Sequence, residues 1–469
     1  MSALRWTVRT LDRALDGETV YRELLAGEPV AFWLDGSLTD RLPRRVSVLG
    51  TTLGAGAEVL SRDVADGDVF DELDKLLAGR VGEPPGELDG LFCGGYVGYF
   101  GYELKALTGG AAAHQATTPD ALWIWANRFV VIDHDRDVTY LVAVDDRGGP
   151  VAGRIDEPGA SGEDWLERAE RVAADWWMSG VDVPAIARLD LEAHLEQDRA
   201  TYLAGIEQCL AELTAGETYE VNLTNRIRLP AVPDPFEFFC WQRAANPAPY
   251  AAFIRYGDLA IASSSPERFL TVDADRWAEC RPIKGTAPRD LDPTQDQLAA
   301  KSLAEDDKTR AENLMIVDLI RNDLGRVSEP GTVHVPQLMQ VESYRTVHQL
   351  VTTVRARLRP AVTTIGAIRA CFPPGSMTGA PKIRTMQIID HLESSARGVY
   401  SGALGYLTVD GRADLSVVIR TAVLTPETTD IGAGGAIVLD SDPQSEYQEM
   451  LLKATATLGR ESGANTTDG

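Results

Sequence analysis

The sequence predicts an α+β fold, and three observations carry that expectation. Strand-like runs recur in long antiparallel-looking series, among them "YAAFIRY", "LAIASSS", "RFLTVD", "GALGYLTV", "LSVVIRTAVL" and "GAIVLD". Helical stretches are inserted between these series, without the regular strand–helix alternation of a parallel βαβ sheet. No internal repeat and no low-complexity tract points to a solenoid or a propeller.

The elements follow in order. Residues 1 to about 145 mix short strand-like runs ("EPVAFWL", "ALWIWANRFVVIDH", "VTYLVAVD") with glycine-rich turns such as "FCGGYVGYFGYE". Residues 146–163 carry Gly, Pro and charge without periodicity and read as a surface loop. "WLERAERVAADWW" is helical, and 179–190 reads as a connector. "DRATYLAGIEQCLAELTAGE" is an amphipathic helix ending at Gly216, and the strand-like "TYEVNLTNRIRL" follows it. Further helices are expected at 306–325, 380–393 and 444–458.

Composition bounds the function. Hydrophobic content of 44% and charged content of 25% are those of an ordinary globular chain. A net charge of −25 argues against a nucleic-acid-binding body, which needs clustered Lys and Arg. Cys93, Cys209, Cys240, Cys280 and Cys371 are widely spaced and form no CxxC, a pattern of reduced thiols in the cytoplasm. The start is charged and has no apolar h-region, and no stretch reaches the roughly 18 apolar residues of a membrane span. An anionic substrate must therefore meet local cations or backbone N–H groups that run against the overall charge.

Several places offer such chemistry, each with an ordinary alternative. Lys284 sits between Pro-Ile and Gly-Thr in "RPIKGTAPR", confined where most lysines are solvated. Glu312 shares a helix sector with Met315, Ile316 and Leu319. A carboxylate there is either partnered by a cation or a partly exposed first-turn residue. Glu446, Glu449 and Lys453 lie on one helix, where Glu449–Lys453 is an ordinary i,i+4 pair unless a divalent cation intervenes. "FPPGSMTGAPKIRT" is a Pro/Gly-rich turn opening a helix. It lacks Walker A spacing, so it admits a carboxylate more readily than a phosphate, or is a plain structural turn. Arg420 lies in an apolar strand, suited to bidentate carboxylate capture or to an edge ion pair. The cluster Gly432, Gly434 and Gly435 permits close backbone approach or a bend.

Taken together, the segments from about residue 197 to 458 resemble the chorismate-utilising enzymes. The matching motifs, in order, are "GETYEVNLTNR", "NPAPYAAF", "SSSPERF", "RPIKGTAPR", "RAENLMIVDLIRNDLGRV", "PPGSMTGAPKIRTMQIID", "YSGALGYL", "DLSVVIRTAVL" and "GGAIVLDSDPQSEYQEMLLKA". The N-terminal part resembles the family chiefly through "GGYVGYFGYEL". In the anthranilate branch the variable residue of PIxGT is usually alanine. The aminodeoxychorismate branch carries lysine, as this chain does at Lys284.

The resemblance implies two large antiparallel sheets stacked face to face, helices outside and the active site between them. It implies an N-terminal region, 1–178, and a chorismate-binding catalytic region, 190–460. In the lysine branch, Lys284 would attack C2 of chorismate while the C4 hydroxyl leaves, helped by Glu267 as general acid/base. Ammonia would then add at C4 and expel the lysine, giving 4-amino-4-deoxychorismate. Burial is expected to lower the Lys284 pKa and free the amine. Glu312 and Glu449 would hold Mg²⁺ against the ring carboxylate. Tyr406, Arg420, Lys453, Gly434 and Gly435 would hold substrate carboxylates, with Gly285, Thr286 and Thr378 completing the substrate site. Ser37, Pro249 and Tyr250 correspond to a tryptophan pocket of relatives. Gln349 in "TVHQLV" stands where many relatives carry His, and Ala436 where many carry a third glycine, so no histidine is assigned a role.

No G-x-C-x-G nucleophile elbow is present, so a separate glutamine amidotransferase subunit is expected to supply ammonia. The competing readings are an anthranilate synthase component I and a non-catalytic paralogue that binds chorismate or tryptophan.

Overall fold

The computed structural model describes residues 2–37, 44–146, 161–174, 190–344 and 347–458. Most of the predicted loop 146–163 and of the connector 179–190 lies outside them, as do 38–40 beyond Ser37. Among the described residues the strands form two sheets. The larger has twelve strands, in the order Gly379–Ala380, Glu220–Pro230, Thr428–Ile437, Thr421–Leu424, Leu259–Ser265, Tyr250–Tyr256, Val30–Asp35, Val46–Thr51, Arg128–Asp133, Val138–Asp146, Ser2–Leu11 and Arg80–Val81. The smaller has ten. It begins with Ile283–Pro288, Val347–Arg357, Trp277–Arg281 and Arg268–Val272, and ends with Gly95–Phe100, Ala121–Ala126 and Val59–Arg62. Pairing is antiparallel except where Ser2–Leu11 meets Arg80–Val81. Both sheets draw strands from 1–178 and from 190–460, so the two sequence regions share their layers.

Alternation explains the layering. In Glu220–Pro230 the residues Val221, Leu223 and Ile227 are buried in a core beneath the helices Arg199–Thr214, Pro235–Ala245 and Pro443–Thr457. Glu220, Asn222 and Thr224 therefore point to the opposite face, toward the smaller sheet. A second core joins Phe32, Phe129 and Ile261 of the larger sheet to Val97, Leu270 and Leu415 of the smaller one. The order is thus helices, sheet, sheet, helices, as the resemblance implied. The expected helices are Asp307–Gly325, Lys382–Leu392 and Pro443–Thr457. Asp306 and Asp442 cap two of them by accepting from Thr309 N and Ser445 N. All five cysteines are buried and free. No described helix is long and apolar enough to cross a membrane.

One buried network ties the layers together beside the cleft. Arg397 donates to Glu393, to the carbonyls of Met377 and Asn222, and to Ser401, and it lies 4.4 Å over the Tyr102 ring. Arg397→Met would leave Glu393 buried without its counter-ion. The expected cost is about 3–5 kcal/mol, read as a lowered urea midpoint, whereas an unchanged midpoint would show that the network adds nothing.

Candidate active site

The cleft lies where the edges of the two sheets meet. Lys284 is on Ile283–Pro288, the edge strand of the smaller sheet, and Glu220 is on Glu220–Pro230, next to the edge of the larger. Glu267 occupies the crossing between them, in the turn from Leu259–Ser265 to Arg268–Val272. Helix Asp307–Gly325 brings Glu312 alongside, and helix Pro443–Thr457, packed on Thr428–Ile437, brings Glu446, Glu449 and Lys453.

Lys284 is buried, and its Nζ lies 2.5 Å from Oε1 of the fully buried Glu220. Burial by itself would depress the lysine pKa. The charges of Glu220 and Glu312, the Glu220 hydrogen bond and the charge of Glu267 outweigh it and raise the pKa above the usual lysine value. This corrects the expectation of a lowered pKa. The sequence shows that the lysine is confined but not that carboxylates surround it, so the resting group is an ammonium ion. Burial pushes Glu267 up to about 7, against the Ser376 hydroxyl, the Lys284 charge and the Ile283 amide. Glu312 also stands at about 7, raised mainly by burial, with Glu220 and Glu446 adding to it and Lys284 and Lys308 opposing it.

The helix Pro443–Thr457 supplies a second charged cluster. Glu446 is buried and accepts from Lys308 at 3.0 Å and from Ser441 at 2.6 Å, while Lys308 lies 4.0 Å from Glu312. Lys453 lies 2.7 Å from Glu449 and donates to the Gly434 carbonyl at 2.9 Å. Glu449 is exposed, and against the desolvation around it Lys453, Lys308 and Lys284 hold its carboxyl below the usual range. A Cβ at Gly435 would lie 3.2 Å from Glu446 and 4.0 Å from Glu449, so glycine keeps the backbone open to these groups. Arg420 precedes Thr421–Leu424 with a φ of +50°. Among the described residues its guanidinium has no hydrogen-bond or ion-pair partner, and burial alone lowers its pKa. A half-buried cation without a counter-ion has the capacity to pair with an anion.

The remaining expected residues divide. Gly285, at a φ of +89°, packs so closely on Thr309 that a Cβ would come within 2.3 Å of it. Thr286 is exposed, opposite Gln349. Thr378 is buried, and its hydroxyl is engaged by the Pro374 and Gly375 carbonyls. Tyr406 is not brought to the Lys284 cluster: its ring packs edge-on against Phe92, 5.4 Å away, and its charged neighbours are Asp414, Arg412 and Arg268. Tyr400, six residues earlier in the same motif, is buried with its ring against Gly432. It lines a cavity with Glu393, Thr421 and Gly432 that includes none of Lys284, Glu220, Glu267, Glu312 or Glu449. Lys382 of the Pro/Gly-rich turn is tied to Asp323 at 2.6 Å and to the Cys371 and Pro373 carbonyls, so it serves the turn. Pro249 and Tyr250 line a small cleft with Arg268, Arg281 and Tyr344. Ser37 is not part of that lining; its hydroxyl accepts from Arg243 at 3.0 Å. His348 is held by Asp296 and Ser343 and stands apart from the chemistry.

Sequence reasoning missed Glu220, Asn222, Ser376 and Lys308. Asn222 donates to the Ser376 carbonyl at 2.9 Å and keeps a buried Oδ1 without a partner. The polar alternation Glu220, Asn222, Thr224 against Val221, Leu223 was the available signal, since a charged residue opening such a strip must face something.

Comparison with known proteins shows the family. Residues 44–459 match the chorismate binding enzyme family. The chain is 44% identical to the aminodeoxychorismate synthase of Streptomyces pristinaespiralis over 99% of its own length and 66% of that protein's, so it spans just under two thirds of that relative. It is 38% identical to aminodeoxychorismate synthase component 1 of Salmonella typhimurium, covering 78% of this chain and 76% of the other. The anthranilate synthase component I structure from Streptococcus pneumoniae superposes with a TM-score of 0.74 at 28% identity, covering 95% of this chain and 97% of that one. With the motifs, the double-sheet architecture and the match over most of its length in agreement, the chain belongs to the chorismate binding enzyme family.

Proposed function

We propose that this chain aminates chorismate at C4, giving 4-amino-4-deoxychorismate, in line with the aminodeoxychorismate for which the Streptomyces and Salmonella relatives are named, on the route to 4-aminobenzoate and folate. The observation that carries this reading is Lys284: a lysine in the PIxGT position, buried in the cleft and 2.5 Å from Glu220. Anthranilate formation needs no nucleophile there.

The chain's own groups suit the two displacements. Lys284 supplies the amine that bonds to C2. Glu267, near 7, is partly protonated at neutral pH and can hand its proton to the departing C4 oxygen. Arg420, free of a counter-ion, and Lys453 are the cations for substrate carboxylates. Glu312 and Glu449 are the residues that would hold Mg²⁺. Their hard oxygens fit it, and a cation would offset the burial, and the Glu220 and Glu446 charges, that raise Glu312. Among the described residues no three acidic, His or Cys side chains form a ready cage. Bound between Glu312 and Glu449, such an ion would supply positive charge to offset the ring carboxylate. A reducing, cytoplasmic setting suits five buried free thiols. The Streptococcus likeness keeps anthranilate synthesis as the second reading.

The test is product identity. Chorismate, ammonia and Mg²⁺ with this chain alone should give 4-amino-4-deoxychorismate by mass spectrometry. Glutamine should replace ammonia only once a glutamine amidotransferase subunit is added. Anthranilate as the main product, or no turnover, would overturn the reading.

A further inference from the structure

Lys284 poses a chemical problem that the reading above does not solve. An amine attacks carbon only when neutral, yet this one rests as an ammonium ion among carboxylates. The nitrogen is buried, so bulk water does not reach it freely. The first displacement needs one proton removed from nitrogen and another delivered to the leaving oxygen. A single carboxyl group cannot begin as both base and acid, so two groups are required.

We propose that Glu220 is the base, taking the Lys284 proton before the attack on C2 and returning it when the lysine leaves. This rests on the covalent reading of Lys284 given above. Glu220 Oε1 is the acceptor of the Nζ hydrogen bond, at 2.5 Å. Its Oε2 is buried with no hydrogen-bond partner, a free oxygen on the group that changes protonation. The other charges facing the pair are Glu312 from the helix Asp307–Gly325, Glu267 from the inter-sheet turn and Glu449 from the helix Pro443–Thr457. None of these three forms an ion pair with Nζ; Glu312 and Glu449 lie against Lys308 and Lys453 instead. Glu267 is left for the oxygen.

The protons balance through both steps. Lys284 ammonium gives H⁺ to Glu220, leaving a neutral amine and a carboxylic acid. The amine forms the N–C2 bond, the two conjugated ring double bonds shift to C1=C6 and C4=C5, and the C4–O bond breaks. Glu267 protonates that oxygen, and water departs. The lysine nitrogen is now a secondary ammonium. Ammonia then forms the N–C4 bond, both double bonds shift back, and the C2–N bond breaks to release neutral Lys284. Glu220 returns its proton to Lys284, and Glu267 takes one from the new C4 ammonium. The net change is chorismate plus ammonia to amino product plus water.

The experiment mixes chorismate and Mg²⁺ with the enzyme, without ammonia, and follows the adduct on the 281–289 peptide by mass spectrometry. The parent should form the adduct. Glu220→Gln, which still accepts a hydrogen bond but takes no proton, should form it about 100-fold more slowly at pH 7 with chorismate affinity retained. Glu220→Asp should recover part of the rate. If Glu220 were only a counter-ion, Glu220→Gln would free the amine and form adduct as fast as the parent or faster, which overturns the proposal. A parent that never forms the adduct overturns the covalent reading itself, and the base with it. A parent measurement needs no variant: with the proton passing inside the pair, the adduct rate should not rise above pH 7. A tenfold rise per unit would mean that solvent deprotonates the lysine, and the assignment to Glu220 would be lost.

Discussion

Lys284→Ala should lose the 4-amino product by at least about 1000-fold, the scale on which loss of a covalent nucleophile is felt, while chorismate still binds. Binding is assigned to Arg420, Lys453 and Mg²⁺, none of which the substitution touches. With nothing at C2, ammonia can attack there itself, so residual amination should move from C4 to C2. Alanine also leaves Glu220 buried beside no cation, and part of any loss would then come from the fold. Lys284→Arg separates the two effects. It keeps a cation for Glu220 but stays protonated and cannot attack. The expected result is a folded, chorismate-binding protein with no adduct and little 4-amino product. A merely electrostatic role for Lys284 predicts the opposite, since arginine would then rescue much of the rate. Substantial 4-amino product from either variant, with no adduct in the parent, would end the covalent account.

The sequence reveals the layers because their causes are local. Period-two alternation in "YEVNLTNRI" marks one face for the helices and one for the opposing sheet, and the structure buries Val221, Leu223 and Ile227 accordingly. Asp306 and Asp442 mark two helix starts by residue type alone. What the sequence conceals is set by distance along the chain. Glu220 and Lys284 are 64 residues apart and meet only because two sheet edges converge. The direction of the lysine pKa follows from that meeting, so confinement alone gave the wrong sign. Tyr400 and Tyr406 stand in one motif, and their fates depend on where the strand begins. The strand starts at Ala403, which leaves Tyr400 in the preceding turn, lining a cavity with Glu393 and Gly432, and commits Tyr406 to the core beside Phe92. Arg420 was readable as a carboxylate receptor or as an edge ion pair. The absence of any partner among the described residues favours the first.

Chelation of Mg²⁺ should abolish turnover, and the pH dependence of the metal's binding should identify Glu312 as one of its holders. The carboxyl of Glu312 stands at about 7, raised from 4.5 first by burial and then by Glu220 and Glu446. A proton therefore competes with the ion. Below pH 7, Mg²⁺ affinity measured by calorimetry should weaken by about tenfold per unit, and above it should level off. Stability has the matching sign. A carboxyl with a raised folded pKa contributes stability that is complete below 4.5 and is lost as pH climbs through 7. Mg²⁺ offsets that loss only where Glu312 is ionised, so it should raise Tm more at pH 8 than at pH 6. Glu312→Gln keeps the shape but removes both the charge and the titration. It should raise the Mg²⁺ requirement by about 100-fold, roughly 2.7 kcal/mol, and flatten the pH dependence of binding. Glu449→Gln also removes a ligand charge but not this titrating group, because Lys453, Lys308 and Lys284 already keep Glu449 ionised. Its Mg²⁺ requirement should rise while the slope below pH 7 survives. Full activity in excess chelator, or a Glu312→Gln enzyme that keeps both the parent's affinity and its slope, would remove Mg²⁺ from these two residues.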